Sequence, residues 1–531
     1  MRVLDAKTKS AVQAVIDSNR AQLSQFPGFV AVEPGFPIID GRVHKEPAII
    51  VFVEHKKPPS HLLPEDRAPR QIGPYRVAVM QADPLRQLMN LMGDSPIALS
   101  VEDSASGLTY VGLPDDPIDK PFRIAKPMLC HVGPDAGWPV LKPFLEATEQ
   151  TLTVAMYDFN VDYIATTFIE TIRDKDIKAI LTWDDSMTAP ETTIRARLRN
   201  KLGDNLDGWI VRCGGGRRFA SAYHEKVAVR DSEAFWLSSG NWSKRSQPEI
   251  DPIGDPDSAR GMYSKGNREW HIIVEDAALA ELFEMYIKHD RDGSEVEANA
   301  GEPGVELDQP EPPRLPDLFV PVDQLFDEAE FDVPTPVAPQ ILPTTPRDVV
   351  VLPVLTPDNY SKRVRALIGG ARRSIYLQFS YITYSEKEVD RDFTAILEAL
   401  AELSNRITMD VRIIVGSTGA AEKIRKLVEA GFKETVFRTQ SNVHNKGIVV
   451  DGETVLVSST NWSGDGVVRN RDAGLIIHDK EIADYYQSVF LFDWENRANA
   501  FLEDDPPVTI APDGAETPPG MVRMSWREYY G

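Results

Sequence analysis

The chain has 531 residues, of which 42% are apolar, and this is enough material for two or three domains with buried cores. Disorder throughout the chain is therefore excluded. Because 81 acidic residues outnumber 58 basic residues, the formal net charge is −23, which argues against a protein that coats nucleic acid or anionic membrane by bulk attraction.

The first 125 residues are predicted to form a small α+β domain. A helical apolar pattern over residues 6–23 precedes a strand-like run at 48–53, which the breaker Lys57-Pro58-Pro59 ends. The amino terminus lacks an apolar run of signal-peptide length, and no segment approaches the roughly eighteen apolar residues of a membrane span. We therefore expect a cytoplasmic protein whose N-terminal domain has an accessory or regulatory role and offers a surface for a protein partner.

Residues 291–350 are predicted to be a linker or a strap on the surface. They are rich in Pro, Glu and Asp, as in the run 309–313, and such a composition cannot bury enough apolar surface to fold alone. Within the linker, residues 318–322 are apolar and could contact acyl chains or pack on the catalytic domain. Residues 501–531 are predicted to be a C-terminal tail.

The segments on either side of this linker, 126–290 and 351–500, repeat the same order of predicted elements. Each has a strand, an amphipathic helix and two further strands, which favours a mostly parallel sheet. The ranges are 152–156, 164–172, 177–183 and 208–213 in the first copy, and 375–379, 393–403, 411–415 and 434–438 in the second.

Both copies then reach the same motif, His-x-Lys with an aspartate five residues beyond the lysine. The residues are His224, Lys226 and Asp231 in the first copy, and His444, Lys446 and Asp451 in the second. Residues two apart on a strand share a face, so each histidine projects to the same side as its lysine and both can address one phosphate. The odd offset places each aspartate on the opposite face, where we expect a structural hydrogen-bonding role.

The match continues beyond the motif, with the same separations as far as the Asn-Trp-Ser run and a longer loop, residues 244–266, before the acid of the first copy. Each histidine is followed 17 residues later by an asparagine, within a Ser-x-Asn-Trp-Ser run, and then by an acid after Asn-Arg. The residues are Ser239, Asn241 and Glu269 in the first copy, and Ser459, Asn461 and Asp472 in the second. A single His-x-Lys would mean little, but recurrence at identical offsets indicates a duplicated site.

This duplicated pattern resembles the catalytic motif of the phospholipase D superfamily, over residues from about 128 to 290 and from about 350 to 500. The resemblance implies an α/β fold in which two α/β/α repeats pack as a pseudo-twofold pair, beside the N-terminal α+β domain. It also implies one active site between the repeats, where His224 and His444 meet.

The resemblance further implies a phosphodiesterase that needs no metal or other cofactor. Two lysines and two asparagines, namely Lys226, Lys446, Asn241 and Asn461, neutralise the phosphate. By order in the family, His224 is the nucleophile that forms a phosphohistidine and His444 is the general acid and base. Glu269 and Asp472 orient the imidazoles by accepting their second N–H. Ser239 and Ser459 contact the phosphate or line the floor of the site.

The motif leaves the substrate open between nucleic acid and phospholipid. The Asn-Trp-Ser ending looks most like the nuclease and cardiolipin-hydrolase branch, and basic residues gather near the motifs, which favours nucleic acid. These basic residues are Arg195, Arg197, Arg199, Lys201, Arg217, Arg218, Lys244, Arg245, Lys423, Arg425 and Lys426. The alternatives are a phospholipase D that hydrolyses headgroup phosphodiesters, and a regulated effector whose N-terminal domain binds a protein partner.

Other features are interpreted as structural. Cys130 and Cys213 are too few for a disulfide framework or a zinc cluster and read as buried thiols. The glycine-rich run after Cys213 lacks the ending of a P-loop. His271 and His478 lack partners at metal-ligand spacing and are interpreted as packing or surface residues. Trp242 and Trp462 are candidates for the core.

Overall fold

The computed structural model describes residues 4–92, 108–175, 177–185, 188–213, 219–294, 316–322, 335–503, 507–512, 514–526 and 529. The acidic run at 309–313 and the predicted basic residues Arg217 and Arg218 lie outside these ranges. Within them, two eight-stranded sheets are accompanied by a four-stranded sheet near the amino terminus and a three-stranded sheet near the carboxyl terminus.

Helices and strands alternate through most of the described chain. The helices are α1 (Ala6–Leu23), α2 (Pro84–Met92), α3 (Gly137–Glu146), α4 (Asp162–Asp174), α5 (Ala189–Leu202), α6 (Pro256–Tyr263), α7 (Ala277–Gly293), α8 (Tyr360–Gly369), α9 (Arg391–Ser404), α10 (Ala420–Glu429), α11 (Gly464–Val468) and α12 (Lys480–Asn496). The strands before the linker are β1 (Phe29–Gly35), β2 (Ile38–Ile39), β3 (Arg42–Val43), β4 (Ala48–Val53), β5 (Gln71–Ile72), β6 (Tyr75–Gln81), β7 (Phe122–Ile124), β8 (Met128–Gly133), β9 (Thr151–Met156), β10 (Lys178–Asp184), β11 (Leu206–Val211), β12 (Lys226–Arg230), β13 (Ala234–Ser238) and β14 (Glu269–Val274). The later strands are β15 (Leu318–Pro321), β16 (Gln340–Leu342), β17 (Val349–Leu355), β18 (Ser374–Phe379), β19 (Asp410–Gly416), β20 (Phe437–Gln440), β21 (Lys446–Val450), β22 (Thr454–Ser458), β23 (Ala473–His478), β24 (Thr509–Ile510) and β25 (Met521–Met524).

The two large sheets have the same strand order. The first is β11-β10-β9-β12-β13-β14-β8-β16, and the second is β20-β19-β18-β21-β22-β23-β17-β7. In each sheet the three strands at one end run parallel, whereas every later pair is antiparallel. The expectation of a mostly parallel sheet is wrong, because β12 and β13, like β21 and β22, are joined by tight turns that force antiparallel pairing.

The predicted architecture of two α/β/α repeats and a small N-terminal α+β domain is confirmed. One apolar cluster contains residues of β12–β14, of β21–β23 and of the helices α7 and α12, so the two sheets share a core. Their approach is close at Gly447, where a Cβ atom would overlap the ring of Trp270 from the other repeat. Glycine is therefore required at this position of β21.

The outermost strands of the two sheets come from segments that the sequence assigned elsewhere. β7 lies in the predicted N-terminal domain but pairs with β17, and β16 lies in the predicted linker but pairs with β8. Each covers an otherwise open sheet edge, which removes unpaired backbone groups. We propose the same division into domains, with these two strands moved to the sheets that they join.

The apolar segment of the predicted linker is packed rather than presented to an acyl chain. β15 pairs with β24 and β25, and Leu318 and Val320 are buried against Val508. The tail and part of the linker thus form one small sheet. No helix in the described ranges combines the length and the apolar character needed to cross a membrane.

The N-terminal sheet, in the order β1-β4-β6-β5, packs on α1 and contacts the second repeat through a buried ion network. Arg425 of α10, whose side chain is fully buried, donates to Glu33 of β1 at 2.7 Å and to Glu429 at 2.6 Å. Arg86 of α2 pairs with Glu33 and with Glu422. These contacts make the N-terminal domain part of the same packed body as the second repeat.

We expect Arg425→Ala to lower the free energy of unfolding by about 3–5 kcal/mol, because it leaves Glu33 and Glu429 short of a buried partner. The matched control is Arg406→Ala, since Arg406 pairs with Glu402 at the surface and its loss should cost less than about 1 kcal/mol. Chemical denaturation followed by tryptophan fluorescence measures both. Equal, small losses in the two variants would contradict a buried network that stabilises the interface.

Candidate active site

The two motif histidines are buried, and each is held by a carboxylate from the other repeat. His224 Nδ1 lies 2.7 Å from Asp472 Oδ1, and His444 Nδ1 lies 2.7 Å from Glu269 Oε1. Both acids are fully buried. An imidazole that donates Nδ1–H to a carboxylate presents Nε2 as a base or nucleophile. Each repeat therefore supplies the orienting acid for the histidine of its partner repeat.

Backbone hydrogen bonds between the repeats produce this crossed arrangement. The His224 amide donates to the Arg471 carbonyl at 2.7 Å, and the Arg471 amide donates to the Ala222 carbonyl at 2.8 Å. On the other side, the His444 amide donates to the Arg268 carbonyl at 3.2 Å and the Arg268 amide to the Asn442 carbonyl at 2.7 Å. Each histidine is thereby placed beside the residue that follows the arginine.

The sequence drew attention to Arg268 and Arg471 only because each directly precedes one of the two acids. Arg268 is buried and donates to Asp135 at 2.6 Å and to Asp493, from opposite repeats, at 2.8 Å. Arg471 is buried in the same way. Its partners are Asp290 at 2.7 Å and Asp358 at 2.6 Å. The recurring Asn-Arg-acid sequence was the signal that could have assigned these arginines a role in joining the repeats.

The two lysines lie against the histidines. Lys226 Nζ donates to the His224 carbonyl at 2.6 Å and lies 5.0 Å from the centre of the Tyr157 ring. Lys446 Nζ donates to the His444 carbonyl at 2.6 Å and to the Ser239 carbonyl, in the other repeat, at 3.2 Å. The positive charges of both motifs are thus brought to one place.

The serines contact the acids instead of lying open to a phosphate. Ser239 Oγ donates to Glu269 at 2.5 Å and accepts the Trp270 amide at 3.0 Å. Ser459 Oγ donates to Asp472 at 2.7 Å and accepts the Ala473 amide at 3.0 Å. Both serines thus help to position the carboxylates, and their contact with the phosphate stays a prediction.

The two asparagines show where the repeats differ. Asn461 accepts a hydrogen bond from Ser380 at 2.9 Å. At the matching place in the first repeat stands Tyr157, whose ring centre lies 4.6 Å from that of His224. Asn241 Oδ1 is buried and has no hydrogen-bond partner among the described residues. The site is therefore symmetric in its motif but not in its lining, and sequence reasoning missed Tyr157.

The motif aspartates lie away from the histidines, as their strand offset predicts. The Asp231 carboxylate accepts the backbone amides of residues 149–151, and the Asp451 carboxylate accepts those of residues 372–374. Both adopt a left-handed backbone conformation with φ of 56°. These hydrogen bonds hold the turn after each motif strand against the start of the neighbouring strand.

Burial controls the ionisation of the site. It lowers the pKa of His224 to about 3, with Lys226 adding to the effect, and it also lowers the pKa of His444. Burial alone would raise the pKa of Glu269, but His444, Lys446 and Ser239 lower it to about 2. Burial lowers the pKa of Lys446 to about 8. At neutral pH the imidazoles are neutral and the carboxylates are charged.

The residues interpreted as structural lie outside this constellation. His271 is buried, stacks on His131 at 4.6 Å between ring centres and contacts Ser238, whereas His478 is exposed beside Thr454. Trp242 and Trp462 are fully buried. One group was not foreseen, since ligand atoms of Asp184, Asp185 and Cys213 lie within 4.8 Å of one another. The Asp184 carboxylate accepts the Tyr223 amide, which gives it a structural role.

The predicted basic clusters are only partly available to a ligand. Arg425 is buried in the ion network described above, Lys426 pairs with Glu33, and Arg197 pairs with Asp162. Lys244 and Arg245 are exposed directly after the first Asn-Trp-Ser run. Among the described residues, the motif lysines and this pair supply positive charge near the motifs.

The depressed pKa of His224 should appear in the pH dependence of stability. Between its unfolded value of 6.5 and its folded value of about 3, the folded chain binds fewer protons, so stability falls as the pH falls. Each such group contributes about 1.4 kcal/mol per pH unit. We expect His224→Asn to reduce the slope of unfolding free energy against pH by about this amount between about pH 6 and about pH 4. An unchanged slope would contradict a neutral, buried imidazole.

Comparison with known proteins agrees with this geometry. Residues 364–494 match the family model described as cardiolipin synthase, PLD-like domain. No curated protein matches the chain. The matched range contains the complete second motif, from His444 to Asp472.

Solved structures that resemble the chain share little sequence with it. Phosphatidylserine synthase from Haemophilus influenzae Rd KW20 is 12% identical, with a TM-score of 0.43 over 76% of this chain and 91% of that one. Nuc, a phospholipase D family member from Salmonella typhimurium, is 12% identical, with a TM-score of 0.25 over 33% and 98%. NucT from Helicobacter pylori is 16% identical, with a TM-score of 0.26 over 34% and 99%.

The family match lies in the second repeat, and the first repeat carries the same residues at the same offsets from the histidine to the Asn-Trp-Ser run, with the same strand order. The histidines of the two repeats are held by each other's acids, so the second repeat does not form its site alone. Residues 364–494 of the second repeat therefore match a phospholipase D-like domain, and the first repeat repeats its histidine and lysine motif and its strand order.

Proposed function

We propose that the chain is a phosphodiesterase that works through a phosphohistidine intermediate and without a metal ion. The observation that carries this proposal is the crossed pair of buried imidazoles, each bound at Nδ1 by a carboxylate of the other repeat. A phosphodiester needs charge neutralisation, a nucleophile and a proton for the leaving oxygen. The two lysines supply the first requirement, and the two histidines supply the others.

In the first step, Nε2 of one histidine attacks phosphorus, and a P–N bond forms as the P–O bond to the leaving group breaks. The negative charge of the bound phosphodiester favours protonation of the other histidine, which then gives its Nε2 proton to the leaving oxygen. The negative charge of the phosphoryl group is neutralised by Lys226 and Lys446, with the asparagine amides as further donors. The carboxylate on Nδ1 stabilises the imidazolium that carries the proton before transfer.

In the second step, the histidine that lost its proton takes one from water, and the hydroxide formed attacks phosphorus. The P–N bond breaks, and the nucleophilic histidine returns to its starting state as the phosphomonoester leaves. Because both steps use the same acid and base in alternate roles, one pair of histidines completes the hydrolysis.

We assign the nucleophile to His224 and the general acid and base to His444. His224 Nε2 is buried and has no hydrogen-bond partner in the described part of the chain, so its lone pair is available for attack. His444 Nε2 lies 2.9 Å from Lys446 Nζ, an ammonium that can share a proton with it. The difference between the two ring environments supports the assignment that order in the family implies.

We propose nucleic acid as the substrate. Lys244 and Arg245 are exposed next to Asn241 and could contact the phosphates that flank the scissile one. Phospholipid is the second candidate, and one observation favours it: α2 exposes Leu85, Met89 and Leu91, which are 41%, 39% and 65% exposed. An apolar helix face of this kind suits contact with a lipid surface.

We expect wild-type protein to cleave single-stranded DNA in the presence of a chelator, and His224→Ala to lose at least about 1,000-fold of that rate. The panel also contains duplex DNA, RNA, cardiolipin and phosphatidylcholine. His478→Ala is the matched control, because His478 is exposed and its ring contacts Thr454 rather than a residue of the proposed site. If the protein hydrolysed lipid but not nucleic acid, the proposed nuclease activity would be wrong and phospholipase D activity would take its place. If the chelator abolished all cleavage, the metal-free mechanism would be contradicted.

The nucleophile can be identified with a substrate whose leaving group needs no acid. With thymidine 5′-(p-nitrophenyl phosphate), we expect His444→Asn to release about one p-nitrophenolate per chain in a burst and to retain the phosphoryl group on the protein. His224→Asn should give neither signal. Rapid mixing with detection of nitrophenolate, followed by mass analysis at alkaline pH, measures both. The reverse pattern would assign the nucleophile to His444.

A further inference from the structure

A cleft of about 690 Å³ begins next to the second Asn-Trp-Ser run and is built largely from residues outside the two motifs. It is lined by Tyr381 and Ser463 of the second repeat, by Leu85 of α2 and by Trp526 of the C-terminal tail. Ser463 ends the second Asn-Trp-Ser run. The cleft therefore begins where the motif ends and extends to the N-terminal domain and the tail.

Tyr381 links the cleft to the active site. Burial raises the pKa of this phenol, and the nearby Tyr157 and Asp472 raise it further. Asp472 is the acid that holds His224, and the Tyr157 ring lies against His224. Tyr381 follows Ser380, whose hydroxyl donates to Asn461 at 2.9 Å, so the cleft begins next to a residue of the proposed site.

Several of the charged side chains that line the cleft are paired within the protein, and the lining as a whole nearly balances lysines with acids. Lys9 binds Glu386 at 2.8 Å, and Lys426 binds Glu33 at 2.6 Å. Glu429, also in the lining, is bound by Arg425 at 2.6 Å. The cleft consequently offers hydrogen-bonding groups without a strong net field, which suits an uncharged polar group better than a second phosphate.

Aromatic side chains provide the remaining contact surface. Tyr381, Tyr384 and Trp526 all line the cleft, and the Trp526 indole is fixed by a hydrogen bond from Nε1 to the Pro316 carbonyl at 2.6 Å. The volume lies within the range of sites that enclose a ligand of nucleotide size. Nucleobases stack on such aromatic side chains irrespective of sequence.

We propose that this cleft binds the nucleoside on one side of the scissile phosphate, so that the N-terminal domain and the C-terminal tail take part in substrate selection. The inference rests on the proposed action on nucleic acid and assigns the binding of the base to residues outside the catalytic motifs. Trp526 and Tyr384 provide the stacking surfaces, and the paired polar groups of the wall provide donors and acceptors for the base edge.

The test is a binding measurement that needs no turnover. Calorimetric titration compares thymidine 5′-monophosphate with 2-deoxyribose 5-phosphate, which lacks the base, and with phosphocholine. We expect wild type to prefer the nucleotide over the sugar phosphate by about 5- to 150-fold. Trp526→Ala and Tyr384→Ala should each remove most of this preference. Circular dichroism and thermal unfolding establish that both variants are folded.

The matched control is Trp209→Ala, because Trp209 lies on β11 at the far edge of the first sheet and should leave the preference unchanged. Equal affinity of wild type for nucleotide and sugar phosphate would overturn the inference, as would a preference that survives in both cleft variants. Tighter binding of phosphocholine, lost in Trp526→Ala, would assign the cleft to a lipid headgroup. Hydrolysis of bis(p-nitrophenyl) phosphate by wild type in any of these cases would leave the phosphodiesterase proposal standing.

Discussion

The crossed contact between each histidine and the acid of the other repeat is the constraint on which the rest of the structure depends. A pair formed within one repeat could persist if the repeats separated, but a crossed pair cannot. Breaking either contact would leave a buried carboxylate without its imidazole partner, which is costly in an environment of low dielectric constant. The site therefore has its geometry only while the two repeats are associated, and the same crossed contacts hold the repeats together.

Two buried arginines next to the site also join the repeats. Arg268 and Arg471 each bind carboxylates on elements of both repeats, and their backbone groups set the register in which the histidines meet the acids. Arginine suits this task because its planar, always charged guanidinium binds two carboxylates with directional hydrogen bonds. The cost of burying these ions is offset only while all partners are in place, so the networks favour one relative position of the repeats.

The N-terminal domain and the C-terminal tail also pack against the catalytic repeats. The ion network at Arg425 joins the N-terminal sheet to α10, and the tail sheet brings Trp526 to the wall of the cleft. Elements that the sequence pattern separates from the catalytic repeats thus lie next to the proposed substrate path. A duplicated fold with a symmetric motif requires such asymmetric additions if it is to distinguish the two sides of a phosphodiester.

Local patterns in the sequence were enough to predict the repeats, the bounds of α1 and β4, the proximity of each lysine to its histidine and the outward position of Asp231 and Asp451. The strands themselves begin at Lys226 and Lys446, so each histidine lies just before its predicted strand. These properties follow from side-chain periodicity, which acts over a few residues. Packing alone decided which acid serves which histidine, that Ser239 and Ser459 bind the acids, that β7 and β16 join the large sheets, and that Arg425 is buried. The physical reason is that each of these contacts joins residues far apart in the chain, and their partners are selected by the fit of whole sheets and helices.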